Sequence, residues 1–290
     1  MSADRWLDRP GGVRLRWRDE GPATGTGSPV LPLMLVHGWA LDLEMFDLVA
    51  ARVREQLRVL RFDRRGYGAS SGEPALETDV YDALAVLDAA GVDRCAVLGM
   101  SQGARVAGAL ARFAPQRIVR VVLDGAPALL GLADGEHEPE IPLDEFRRLA
   151  RERPATLRDA LARHPLLQLV GPSDEAAAVL CGALARYPAI DLLTAHPPAP
   201  PSPSLLQPAA FRQPTLVLNG EHDSAARLRI GRRLAQVLPH AERLVLAGAG
   251  HLACLDDANA YSDAIARFQN GYKVPERSHA DPHSADARRS

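Results

Sequence analysis

The pentapeptide Gly99-Met100-Ser101-Gln102-Gly103 constrains this chain more than any other stretch. It follows an apolar run, Ala96-Val97-Leu98, and precedes a small-residue helical pattern over 104–114. A strand that must reverse into a helix within about three residues throws the central serine onto a strained, exposed corner. Glycines at 99 and 103 remove the side chains that would hold strand and helix apart. The corner also leaves amides at the helix start unpaired, where they can hold an oxyanion. An ordinary turn can carry the same five letters; the strand-to-helix setting is what favours a nucleophile.

A nucleophilic serine needs a base, and the base needs an acid to orient it. Residues 214–219 form a buried-strand pattern that empties into Gly220-Glu221-His222-Asp223-Ser224. Residues 244–246 form another, which empties into Gly248-Ala249-Gly250-His251. The order is therefore Ser101, Asp223, His251, each on a loop at a strand end. Asp223 would fix the tautomer of His251, and the other ring nitrogen would take the Ser101 proton. Alone, His251 could be an ordinary loop histidine and Asp223 a solvated turn residue; three correct residue types in order make coincidence a poor account.

A fourth run, 31–36, ends in His37-Gly38-Trp39. A tetrahedral oxyanion needs two donors, and the candidates are the backbone N–H groups of Gln102 and Trp39. The Trp39 indole would also form pocket wall. His37 is expected to brace its loop by hydrogen bonds rather than act as a second base.

These residues resemble the α/β-hydrolase superfamily, in its single-domain branch of serine esterases, lactonases, cofactor-free haloperoxidases and carbon–carbon bond hydrolases. The resemblance spans about 12–270 and rests on Leu35-Val36-His37-Gly38-Trp39, Phe62-Asp63-Arg64-Arg65-Gly66-Tyr67-Gly68-Ala69-Ser70, the elbow, and the Asp223 and His251 loops. It implies a doubly wound, mostly parallel eight-stranded α/β sheet with a helical cap insertion. Gln102, where Met or Leu is frequent, and Ala104, where Gly is common, depart from the family pattern. The resemblance also keeps Asp124, at the end of the run 119–123, as runner-up to Asp223 for the acid.

The rest of the chain fits that organisation. At 290 residues and 47% apolar it can bury one large core plus an insertion. Residues 13–17 alternate apolar and charged, the mark of an antiparallel strand with one solvated face. The segment 21–29 is a loop by composition, and later strand-like runs lack alternation, as parallel strands covered on both faces do. Asp42 is a plausible N-cap for a helix to Leu57; further helical stripes run through Val80, Leu84 and Leu87, through Ile230 and Leu234, and through Tyr261 and Ile265. Between 127 and 210 only helical patterning appears, at 142–151, 154–163 and 173–186. Eighty-four residues are too many for a plain connection, so 127–210 is expected to be a helical cap on a core of 1–126 and 211–272. Its return path over 196–203, with five prolines in eight residues, reads as an extended connector, and 273–290 as a disordered tail. The cap is expected to set substrate choice, with Phe146 as a candidate substrate contact, while adding little to the chemical step.

Several classes are disfavoured. A net charge of −2 with intermixed signs is not a nucleic-acid footprint. Cys95, Cys181 and Cys254 have neither metal spacing nor an even disulfide count, and His222 has no partner ligands at metal spacing. The start of the chain has no apolar signal core, and no uninterrupted apolar run reaches the ~18 residues a membrane span needs. The expectation is a cytoplasmic serine hydrolase without metal or organic cofactor, acting on a small ester or lactone, with its oligomeric state left open. The same triad could instead serve carbon–carbon hydrolysis, perhydrolysis or acyl transfer, or the fold could be a non-enzymatic ligand receptor.

Overall fold

Apolar strands without alternation can be satisfied only by cover on both faces, and that is how the sheet is built. The computed structural model describes residues 3–22, 31–127, 141–171, 173–194 and 211–271. Eight strands form one sheet: β1 Arg5–Arg9, β2 Val13–Glu20, β3 Leu33–Val36, β4 Val59–Phe62, β5 Cys95–Met100, β6 Ile118–Asp124, β7 Thr215–Gly220 and β8 Ala241–Leu246. Their spatial order is β1-β2-β4-β3-β5-β6-β7-β8. The β1/β2 and β2/β4 pairs are antiparallel and all others parallel.

Successive strand residues point to opposite faces. Leu33, Leu35, Ala96, Leu98, Leu216 and Leu218 join one buried cluster, with α1 (Asp47–Val53), the short α9 (Ala253–Asp256) and α10 (Ala258–Gln269). Met34, Val36, Cys95, Val97 and Val217 join the other, with α2 (Leu76–Ala89), α3 (Gln102–Phe113) and α8 (Ala225–Val237). On α3, Ala104, Ala107 and Ala111 are almost fully buried, so small side chains let the helix lie close to the sheet.

Strand order reverses at β3, because β4 lies on one side of it and β5 on the other. The crevice at the carboxyl ends of strands beside such a reversal is where open α/β sheets bind ligands. Both the Ser101 corner and the Trp39 loop leave the sheet there.

The three expected cap helices form as α4 (Leu143–Glu152), α5 (Pro154–Ala162) and α6 (Asp174–Arg186), followed by the short α7 (Ile190–Leu193). Pro154 opens α5, and Ser173 caps α6 by accepting the Ala176 N–H. Among the described residues, 174–193 alone has the length and apolarity of a membrane-crossing helix. It is broken at 187–189 and docks on the core through buried Tyr187 and Asp191.

Three local expectations change. The edge hairpin strand β1 was not foreseen: its residues are largely exposed, so it carries little apolar signal. The segment expected to be one helix over 42–57 starts instead as a 3₁₀ turn, Leu43–Phe46, capped by Asp42, and passes into α1, which ends at Val53. The strand expected at 244–246 starts at Ala241, since an edge strand tolerates half-exposed residues. Most of the loop expected at 21–29, the proline-rich connector and the tail lie outside the described residues.

Candidate active site

Ser101 sits between β5 and α3 at φ 52°, ψ −118°, a backbone region costly for any residue with a Cβ. The corner is held by the Ser101 N–H, which donates to the Asp124 carbonyl at 2.7 Å. A Cβ on Gly99 would collide with the Gly103 carbonyl, and one on Gly103 with the Val36 carbonyl. Glycine at both places is a condition of the turn. Gln102 and Gly103 open α3, so their amides have no intrahelical acceptor.

The loops after β7 and β8 bring Asp223 and His251 together: His251 Nδ1 lies 2.8 Å from Asp223 Oδ1, and both residues are buried. Asp223 also accepts the Ser224 N–H at 2.8 Å and the Asn219 amide at 3.3 Å. Burial pushes its carboxyl up. The His251 charge and the hydrogen bonds from His251, Ser224 and Asn219 outweigh burial and hold it below the usual carboxylate range. An ionised Asp223 keeps the imidazole proton on Nδ1 and leaves Nε2 as the basic nitrogen.

Gly125, which the motif reading missed, lies against the imidazole. At φ 52°, a Cβ there would stand 2.8 Å from His251 Cε1 and 2.9 Å from Nδ1. The one available signal was its place directly after a buried strand, next to a candidate acid.

That acid, Asp124, faces elsewhere. Its Oδ2 accepts the Tyr261 hydroxyl at 2.8 Å, while Oδ1 has no partner. Complete burial pushes its carboxyl well above the usual range; the Tyr261 hydrogen bond opposes this and the Asp223 charge adds to it. Asp223 lies on His251 Nδ1 while Asp124 is turned to Tyr261, so Asp223 is the acid the geometry favours.

The Trp39 loop is braced from the core. His37 Nε2 accepts the Arg64 N–H at 2.9 Å, which leaves the ring proton on Nδ1 to donate to the Gly38 carbonyl at 2.8 Å. Burial first, then the Arg64 charge, push the His37 pKa well below normal, so the ring is a neutral strut as expected. Arg64 pairs with Asp79 at 3.0 Å. Its Nη2 also donates to the Gly38 carbonyl at 3.2 Å and to Gln102 Oε1 at 2.6 Å. One buried guanidinium therefore touches Gln102 itself and the peptide that carries the Trp39 N–H.

Ser101 and His251 share an apolar cavity of about 20 Å³, room for roughly one water molecule. The core supplies Trp39, Leu41, Met100 and Leu252 to its wall; the helical segment 141–171 supplies Ile141, His164, Leu166 and Leu167. Among the described residues no hydrogen bond joins Ser101 to His251, a looseness common before substrate binds. His164 was missed by the sequence reading; its Nδ1 accepts the Leu166 N–H at 3.3 Å. Phe146 is not on the wall. Its ring stacks on Trp39 at 6.0 Å and meets His164 edge-on at 5.9 Å, so it backs two wall residues instead of forming a surface itself.

Comparison with known proteins bears on the fold and the family. A family model described as the alpha/beta hydrolase fold matches residues 32–258. A pimeloyl-[acyl-carrier protein] methyl ester esterase of Pectobacterium atrosepticum is 24% identical over 259 residues, covering 88% of this chain and 98% of that protein. A 2-hydroxymuconate semialdehyde hydrolase of Pseudomonas sp. is 26% identical over 282 residues, 89% of this chain and 90% of that protein. A thermophilic esterase from Thermogutta terrifontis superposes with a TM-score of 0.75 at 23% identity, over 93% of this chain and 98% of that one.

Proposed function

The chain belongs to the α/β-hydrolase fold family, and from that membership we propose that it is a serine hydrolase cleaving small carboxylic esters through an acyl-enzyme. The observation that carries this reading is the shared cavity: the strained Ser101 corner and His251, bonded to Asp223, face one small apolar space. His251 Nε2 takes the Ser101 proton as Oγ bonds to the ester carbon. The Trp39 and Gln102 N–H groups hold the oxyanion. As it collapses, the bond to the alkoxy oxygen breaks and His251 returns the proton to the leaving alcohol. Water then attacks the acyl carbon with His251 again as base, and Ser101 recovers its proton as the acid departs.

The wall favours an aliphatic acyl group, because Leu41, Met100, Ile141, Leu166, Leu167 and Leu252 offer it no charge. The relatives named as methyl ester esterases support the same class. The relative named as a semialdehyde hydrolase supports a second reading, carbon–carbon hydrolysis on the same residues. That reading needs a site for an acidic dienol, and the described wall residues include no arginine or lysine.

The test combines turnover and labelling. p-Nitrophenyl acetate should be hydrolysed, a serine-directed phosphonate should add once, on Ser101, and Ser101→Ala should stay folded but lose both. Labelling that persists in the alanine variant refutes the nucleophile; neither turnover nor adduct in the native protein points to a receptor.

A further inference from the structure

The cap segment 186–191 meets the core loop 39–44 at several points. Arg186 Nε donates to Asp42 Oδ2 at 2.7 Å, and its Nη2 lies 2.7 Å from Glu44 Oε2. The Tyr187 ring meets the Trp39 ring edge-on at 6.0 Å. Asp191, on α7 and 7% exposed, accepts two hydrogen bonds at 2.6 Å each, from the Trp39 indole N–H and the Tyr187 hydroxyl. A buried carboxyl needs such donors, and a simple tether between cap and core would supply them.

The identity of the donor says more. Trp39 lies on the cavity wall, and the next residue, Ala40, is buried at φ 58°, a conformation that must be held by its surroundings. The Gly38 carbonyl is held from the core by His37 and Arg64. Peptide planarity ties the direction of the Trp39 N–H to that carbonyl. The indole, at the other end of the residue, is held from the cap by Asp191. With both ends held, little freedom is left to the N–H between them.

We propose that Asp191 is a positioning residue that links the seating of the cap to assembly of the oxyanion hole, a role that rests on the reading of the Trp39 N–H as an oxyanion donor. When the cap lifts, the indole loses its acceptor and the strained loop relaxes. When the cap closes over substrate, the donor is set. The cap thus acts on the chemical step as well as on access.

The test compares Asp191→Ala, Asp191→Asn, Trp39→Phe and the Trp39→Phe/Asp191→Ala double variant with the native protein. The readouts are kcat and KM for p-nitrophenyl acetate, inhibition by an alkyl boronic acid that forms a tetrahedral adduct on serine, and thermal melting. Asp191→Ala should lower kcat by about 10- to 100-fold with KM nearly unchanged, and weaken the boronate in the same ratio. Asp191→Asn should recover most of the activity, because its amide oxygen can accept the indole proton while the Tyr187 hydroxyl turns to accept. The double variant should be little worse than the poorer single one. A lower melting temperature with unchanged kcat, a loss confined to KM, additive losses, or an asparagine variant as poor as alanine would each overturn the proposal. Should Asp191→Ala fail to fold, Trp39→Phe decides: kcat lower by about 10- to 100-fold with KM nearly unchanged supports the proposal, and an unchanged kcat overturns it. Failure of the hydrolase reading itself would look different: native protein without turnover or phosphonate adduct.

Discussion

Two buried carboxyls, Asp223 on the imidazole and Asp124 turned to Tyr261, are shifted in opposite directions by their neighbours. His251, Ser224 and Asn219 hold the Asp223 carboxyl below the usual range, whereas burial that one tyrosine hydroxyl does not offset pushes that of Asp124 well above it. Asp223→Asn should therefore cut kcat by up to about 10⁴-fold, as loss of the orienting carboxylate does in serine triads. Asp124→Asn should leave kcat within a few-fold. The reverse ranking in folded variants would move the acid to β6. Stability separates them as well. The folded pKa of Asp124 is raised, so its contribution is present at acid pH and lost as pH rises above about 4, where the unfolded carboxyl ionises. Asparagine escapes that loss, and its gain in melting temperature should be larger at pH 7 than at pH 4; an equal or smaller gain would contradict a neutral Asp124. Asp223 has the opposite sign: its contribution is present above about 4 and lost as pH falls through its depressed pKa. Both residues were candidates in the sequence. The order of the motifs put Asp223 first and Asp124 second; the shifts of their carboxyls were not readable there because Tyr261 and His251, which set them, are distant along the chain.

At the scale of elements, the elbow was the most readable part, because its glycines, serine and alanines answer local steric demands. The three main cap helices were readable for the same reason, through apolar spacing and through Pro154 and Ser173 at their starts. Which cap residues reach the cavity was not. Phe146 was a reasonable candidate and backs the wall; the 3₁₀ turn Pro165–Leu167 supplies Leu166 and Leu167 to it instead. Leu167→Ala should enlarge the cavity and raise kcat/KM for p-nitrophenyl butyrate relative to acetate by about 10-fold, the scale of one or two methylenes in an apolar pocket. Ser101 labelling should change little. An unchanged chain-length ratio would place the acyl chain elsewhere. The expectation that the cap adds little to the chemical step is what the proposed role of Asp191, which holds the indole of Trp39, puts to the test.

In the whole molecule, a sheet buried on both faces carries helices that meet the core both at the Trp39 loop, through Asp191 and Arg186, and beyond His251, where the Val170 N–H donates to Asp256. Strands β3, β5 and β7 have every residue buried, whereas α4, α5 and α6 each expose one side. Hydrogen exchange should therefore find the amides of those strands opening only with global unfolding, and the cap amides opening at lower free energy. Equal protection in both would mean that cap and core form one cooperative unit. By itself the sequence determined the strand–helix alternation, the elbow and the order of the triad candidates, because each follows from apolar periodicity or from steric needs within a few residues. Tertiary structure alone decided the charge of Asp124, the contact of Gly125 with His251, the reach of Arg64 to both Gln102 and Gly38, and the bond from Trp39 to Asp191. These depend on groups brought together across up to 152 positions, where burial and hydrogen-bond partners, not residue type, set the chemistry.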